Sequence, residues 1–167
     1  EWSPIRDLAD PHMGMFDPGE DYDSETNRGK PDHMDEWVYN WYEICASTTD
    51  ADNGCVHFNN TIPSHGIYLA AEGGEHGGVT VQGVGLDAIE PVIWRTLITK
   101  LSTYSDFDSY RDNMIESCTE LYGLGSEVCT SVQDGLAAVG IGEPVNADRS
   151  SGAGLGQALV AADLDGG

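Results

Sequence analysis

The segment Asp50-Ala51-Asp52-Asn53-Gly54-Cys55-Val56-His57 places a carboxylate five residues before a histidine. An Asp-Asn-Gly turn brings the chain back on itself, so the Asp52 carboxylate can reach the His57 ring. A carboxylate that accepts the proton of one imidazole nitrogen sets the tautomer and stabilises the imidazolium. The other nitrogen is then a donor, suited to an oxyanion forming on a substrate carbonyl. On these residues alone, an ordinary Asx turn beside a histidine is the simpler account. An EF-hand is disfavoured: Asp50, Asp52 and Gly54 fit part of its loop, but the third acidic position and the closing Glu are missing.

The remaining histidines are His12, His33, His65 and His76. No HExxH occurs, and no two histidines stand at i, i+4, so no zinc site can be built by local spacing. His12 and His65 read as surface or satisfied core side chains. The acidic run Asp17, Glu20, Asp21, Asp23, Glu25 could offer oxygens to calcium, but a solvated loop in an acidic protein explains it as well. Asn59-Asn60-Thr61 fits a glycosylation acceptor and reads instead as a helix cap.

These residues must be held by a chain of 167 residues, the length of one domain. Seven basic side chains against 29 acidic ones give a net charge of −22. Nucleic acid and anionic membrane surfaces are excluded as partners, because both need clustered Lys and Arg. No stretch approaches the roughly 18 apolar residues of a membrane span. The chain opens on Glu1, with no initiator Met or signal segment, and reads as a piece of something longer. Of four cysteines, none forms a CxxC pair. Three pairings are open; the local one, Cys45 with Cys55 and Cys118 with Cys129, closes two short loops and is favoured, with an oxidising compartment.

Residues 1–34 read as irregular, with Pro4, Pro11, Pro18 and Pro31. Asp35 to Cys45 reads as a short helix with Trp37, Trp41 and Ile44 on one face, and residues 46–60 as turns. Asn60 or Thr61 caps a helix to about Glu72. Residues 73–85 form a Gly-rich link with extended valines. Asp87 caps a helix with Ile89, Ile93, Leu97 and Leu101 on one stripe. Asp106 caps another, aligning Phe107, Tyr110, Met114, Cys118 and Leu121 and ending at Gly123. Ser126 caps the last, with Cys129, Val132 and Leu136 on one face. From Gly142 to Gly167 the pattern decays into a Gly/Ser-rich tail or linker. The fold class is mainly α, a bundle of about four to five helices.

Several ordered motifs then converge. Asp52-Asn53-Gly54-Cys55-Val56-His57-Phe58-Asn59 resembles the D-N-G-G-V-H-x-N motif of the thermolysin-like zinc metalloproteases. Ile5-Arg6-Asp7-Leu8-Ala9-Asp10-Pro11 resembles that family's L-R-S-M-x-D-P, and Pro31-Asp32-His33 its P-D-H. Gly73-Gly74-Glu75-His76-Gly77, Ile93-Trp94-Arg95-Thr96-Leu97, Thr119-Glu120-Leu121-Tyr122-Gly123 and Ala137-Ala138-Val139-Gly140-Ile141 come next, in family order. The resemblance covers residues 1–141.

It implies the C-terminal helical lobe of a secreted two-lobed endopeptidase acting on peptides or proteins. In the family, zinc lies between the lobes on two His of an HExxH helix and a further Glu, all in the N-terminal lobe. This chain would hold no zinc ligand and would be inactive without that partner lobe. His57 matches the family's oxyanion donor and Asp52 the Asp that orients it. Arg6 matches the Arg that binds the carbonyl after the cut, and Ile5 would line that residue's pocket. The family usually has Gly where Cys55 stands, and a Cys45–Cys55 bond would brace the turn. Residues 12–30 and 34–49 carry extra sequence, which leaves the family's calcium ligands unassigned. The alternative is a non-catalytic acidic helical module for interaction or calcium binding.

Overall fold

A computed structural model describes residues 7–13, 29–38 and 52–145. Among these, five α-helices succeed one another: α1 (Asp52–Asn59), α2 (Thr61–Glu72), α3 (Leu86–Thr99), α4 (Phe107–Tyr122) and α5 (Glu127–Ala138). A two-stranded hairpin, β1 (Gly74–His76) and β2 (Val79–Val81), joins α2 to α3. Pro11–Met13 and Met34–Glu36 are single 3-10 turns. The fold is mainly α, as the sequence leads one to expect.

The two later helices start on the expected caps. The Asp106 carboxylate accepts the Ser109 N–H while the Ser109 hydroxyl accepts the Asp106 N–H, a reciprocal capping box. The Ser126 hydroxyl accepts the Cys129 N–H. Two caps differ. Asn60 precedes α2 in helical conformation with no side-chain cap bond. Gly85, not Asp87, is the N-cap of α3, and Asp87 lies in its first turn. Asp87 still serves there, since a negative charge suits the amino end of a helix.

The buried stripe of α3 also differs. Ile89, Val92 and Thr96 are buried, whereas Leu97 is 53% exposed. Thr96 can be buried because its hydroxyl donates to the Val92 carbonyl and accepts from Ser117 of α4, both at 2.8 Å. On α4, Met114 and Cys118 are buried, but Leu121 is exposed at the helix end. On α5, Cys129, Val132 and Leu136 are all buried, as their spacing predicts.

Helix α2 packs on α5, α5 on α4 and α4 on α3. The α2–α5 contact is closest at two glycines. A Cβ on Gly135 would lie 2.4 Å from the Gly66 carbonyl oxygen, and one on Gly66 would lie 2.8 Å from that of Gly135. Small residues continue the seam, where the Ser131 hydroxyl donates to the Ala70 carbonyl at 2.8 Å. Cys118 and Cys129 form a disulfide across the α4–α5 connection, as their positions predict.

The expected link at 73–85 is a true hairpin. Gly74, Glu75 and His76 pair with Val81, Thr80 and Val79. Gly77 (φ 53°) and Gly78 (φ 77°) are both left-handed, as a tight hairpin turn of primed type requires.

Sequence and structure differ most before residue 60. The expected helix from Asp35 to Cys45 is, where described, one 3-10 turn that ends at Glu36; Trp37 is already extended (φ −52°, ψ 126°). Trp41, Ile44 and Cys45 lie outside the described residues. The turns expected over 46–60 are, from Asp52, helix α1. Cys55 inside it has a φ of 62°. A left-handed residue with a Cβ costs about 1–2 kcal/mol. That backbone is one that glycine adopts freely, the residue the family usually has there.

Candidate functional site

Helix α1 carries both residues of the Asp52–His57 pair. Asp52 opens the helix and His57 stands in its last turn, exposed. The Asp52 side chain, Ile5 and Arg6 lie outside the described residues. Cys55, between the pair, is fully buried and disulfide-bonded; Cys45, its expected partner, lies outside the described residues. The acidic run Asp17–Glu25 does too.

Two residues just beyond His57, Asn59 and Thr61, anchor the site to the rest of the molecule. Asn59 is buried, and its amide clamps the backbone of Val38: the Val38 N–H donates to Oδ1 at 3.0 Å, and Nδ2 donates to the Val38 carbonyl at 3.2 Å. The buried Thr61 hydroxyl lies 2.6 Å from the Pro31 carbonyl and 2.7 Å from that of Phe58, donating to one at a time. These bonds hold residues 31–38 against the α1–α2 junction. Neither Asn59 nor Thr61 acts as a helix cap.

A second anchor lies on the Arg6 side. The Asp7 carboxylate accepts the N–H groups of Ala9 and Asp10, closing an Asx turn. His65 of α2 places Nδ1 2.7 Å from the Leu8 carbonyl. His65 is 5% exposed, so it is a satisfied core histidine at that nitrogen, as expected. His12, by contrast, is exposed and lies 2.8 Å from Glu36.

Spacing along the chain misses a side-chain cluster around Asp32. Asp32 Oδ1 is 3.5 Å from His76 Nε2, and Oδ2 is 3.8 Å from His12 Nε2. His65 and His76 meet edge to face with ring centroids 4.7 Å apart. The two histidines facing Asp32 shift in opposite directions. For His76, burial lowers the pKa, and the neighbouring His65 and His33 add to this despite Asp32. For His12, burial also lowers it, but the Glu36 hydrogen bond and the charges of Asp32, Glu36 and Asp10 raise it overall. The only signal in the sequence is that Asp32 and His76 sit in family-like motifs; nothing local links them to His65.

Comparison with known proteins agrees with this architecture. Residues 1–141 match the family model for the thermolysin metallopeptidase α-helical domain. Neutral protease B of Bacillus subtilis is 38% identical over 116 residues, 70% of this chain and 20% of that protein. Thermolysin of Alicyclobacillus acidocaldarius is 34% identical over 113 residues, 68% of this chain and 19% of that protein. Bacillolysin of Bacillus cereus is 32% identical over 116 residues, 70% and 19% respectively. The chain thus spans about a fifth of the length of the relatives it matches. The match over residues 1–141 and the mainly helical fold show that the chain belongs to the thermolysin metallopeptidase family, as its α-helical domain.

Proposed function

We propose that this chain is the substrate-binding and oxyanion-stabilising lobe of a secreted zinc endopeptidase that hydrolyses peptide bonds. The observation that carries the reading is the Asp52–Asn59 motif, formed as a helix that exposes His57 and is pinned at Asn59 and Thr61. The family membership of residues 1–141 supports the two-lobed reading, in which a partner lobe faces this one. The disulfide favours an oxidising compartment. Among the described residues no helix is long and apolar enough to cross a membrane. Residues 142–167 are read as a tail or linker, whose first residues are still tied to the domain: the Glu143 carbonyl accepts from Arg111 and Gln133, and the Val145 N–H donates to Asp134.

Catalytic zinc belongs to the partner lobe, since this sequence has no HExxH to hold it. Bound there, it would polarise the peptide carbonyl and acidify a water. This chain supplies the opposite wall. His57 donates a hydrogen bond to the carbonyl oxygen as negative charge develops on it. Asp52 holds the ring in the tautomer that presents that donor. Arg6 binds the carbonyl of the residue after the cut, and Ile5 lines that residue's pocket. Calcium is assigned no site.

The test is made in the two-lobed protease. His57→Ala should lower kcat about 10²–10³-fold with little change in KM, the usual loss for an oxyanion donor. Asp52→Asn should cost less, because Asp52 does not touch substrate. An unchanged kcat in His57→Ala overturns the assignment, as does peptidase activity from the 167-residue chain alone.

A further inference from the structure

Asp32, His65 and His76 come from three separate parts of the chain: the loop after Pro31, helix α2 and the end of β1. One ligand atom from each lies within 4.8 Å of the others. His76 Nε2 is buried and has no hydrogen-bond partner among the described residues. Leaving such a nitrogen unsatisfied costs about 1–3 kcal/mol, so its surroundings call for a partner. His65 has one nitrogen committed: the Leu8 carbonyl only accepts, so Nδ1 carries the proton. The lone pair is then on Nε2. A backbone carbonyl holding one imidazole nitrogen is the usual support of a metal-bound histidine.

We propose that Asp32, His65 and His76 bind a divalent transition-metal ion of the zinc class. Two neutral imidazoles and a carboxylate suit such an ion, and water can complete the tetrahedron. Ligation at about 2.0–2.2 Å draws the donors to roughly 3.4 Å apart, a small contraction of the present cluster. Asp32 is already oriented, with Oδ2 turned to His12 and Oδ1 to His76. The neighbouring group His12, Asp32 and Glu36 is the weaker candidate. It offers one imidazole, and that nitrogen is already bonded to Glu36 at 2.8 Å. The bound ion would tie the loop after Pro31 to α2 and the hairpin. It is independent of the peptidase reading, and its ligands are not the catalytic ones assigned above.

The test uses the 167-residue chain and zinc or cobalt ions alone. Calorimetry should show one zinc equivalent, with a rise in Tm at excess metal. His65→Gln and His76→Gln should each weaken binding at least about tenfold, while His12→Gln stays within about twofold. Circular dichroism establishes that each variant is folded. In the cobalt complex of the unaltered chain, two paramagnetically shifted imidazole N–H resonances should appear, which needs no variant. No binding at millimolar zinc overturns the proposal. So does binding that His12→Gln abolishes and His65→Gln spares, or a cobalt complex without histidine resonances.

Discussion

Residues 61–141 and the described residues before them are stabilised in different ways. In the later part, helices start on local caps, such as the Asp106–Ser109 box, and bury apolar stripes against each other. In the earlier part, order comes from side chains that reach far along the chain to backbone groups. Asn59 bonds Val38 across 21 residues, Thr61 bonds Pro31 across 30, and His65 bonds Leu8 across 57. The core cluster includes no residue of 7–13 or 52–60, and only Met34 and Trp37 of 29–38 pack on it. Trp37 does so edge to face on Phe107, with centroids 5.4 Å apart. The part that carries His57 is therefore held by long-range polar bonds and by the buried, disulfide-bonded Cys55, against a scaffold that is stable by burial. Functional residues on surface segments are commonly held in place by a rigid scaffold, and the burial-stabilised helices are the scaffold here.

The comparison can be broken in order of effect. Removing the Cys118–Cys129 bond, as a double Cys→Ala variant, should cost about 2–4 kcal/mol in denaturant melts, because it frees the α4–α5 connection in the unfolded chain. Protection of the Val38 amide should then fall only with global stability. Asn59→Ala should cost about 1–3 kcal/mol, since two half-buried backbone groups of Val38 lose their partners. Here hydrogen exchange should quicken at Val38 well before it quickens in α4 and α5. Equal loss in both regions would show that they are one cooperative unit and would break the comparison. Asp106→Ala should cost about 0.5–2 kcal/mol through its lost cap, read as a lower urea midpoint with unchanged m.

The smallest expected effect is electrostatic. Hydrogen bonds from Lys100, and then Arg95, lower the Glu120 pKa. Bonds to Glu116, and then Glu120, raise that of Lys100. A lowered carboxylate stabilises the fold above its ordinary pKa and loses that contribution as the pH falls through the lowered value. A raised lysine stabilises below its ordinary pKa and loses its contribution as the pH rises through the raised value. Glu120→Gln should therefore slightly reduce the drop in Tm between about pH 7 and about pH 3. The Glu116 and Glu120 carboxylates are exposed, so salt should shrink the difference further.

Much of the later part is legible in the sequence because its signals are short-range. Asp106, Ser126, Gly123 and the Cys118–Cys129 pairing each act within a few residues or one helix connection. The α3 stripe departs from its spacing at Leu97 because burial of Thr96 depends on Ser117, a partner 21 residues away. The α1 segment reads as turns because Asp, Asn and Gly favour them locally. Its helical backbone accommodates the left-handed Cys55 and is held through Asn59.

By itself, the sequence determined the fold class, the helix starts at Asp106 and Ser126 and the family, through ordered motifs such as Asp52–Asn59. Capping and periodicity are local, and a motif string needs no coordinates to be matched. Only the tertiary structure decided that Asn59 and Thr61 brace the loop beside the candidate site, and that Asp32, His65 and His76 converge. Those contacts join residues distant along the chain, and their closeness comes from how α2, the hairpin and the loop pack. No spacing rule encodes that packing.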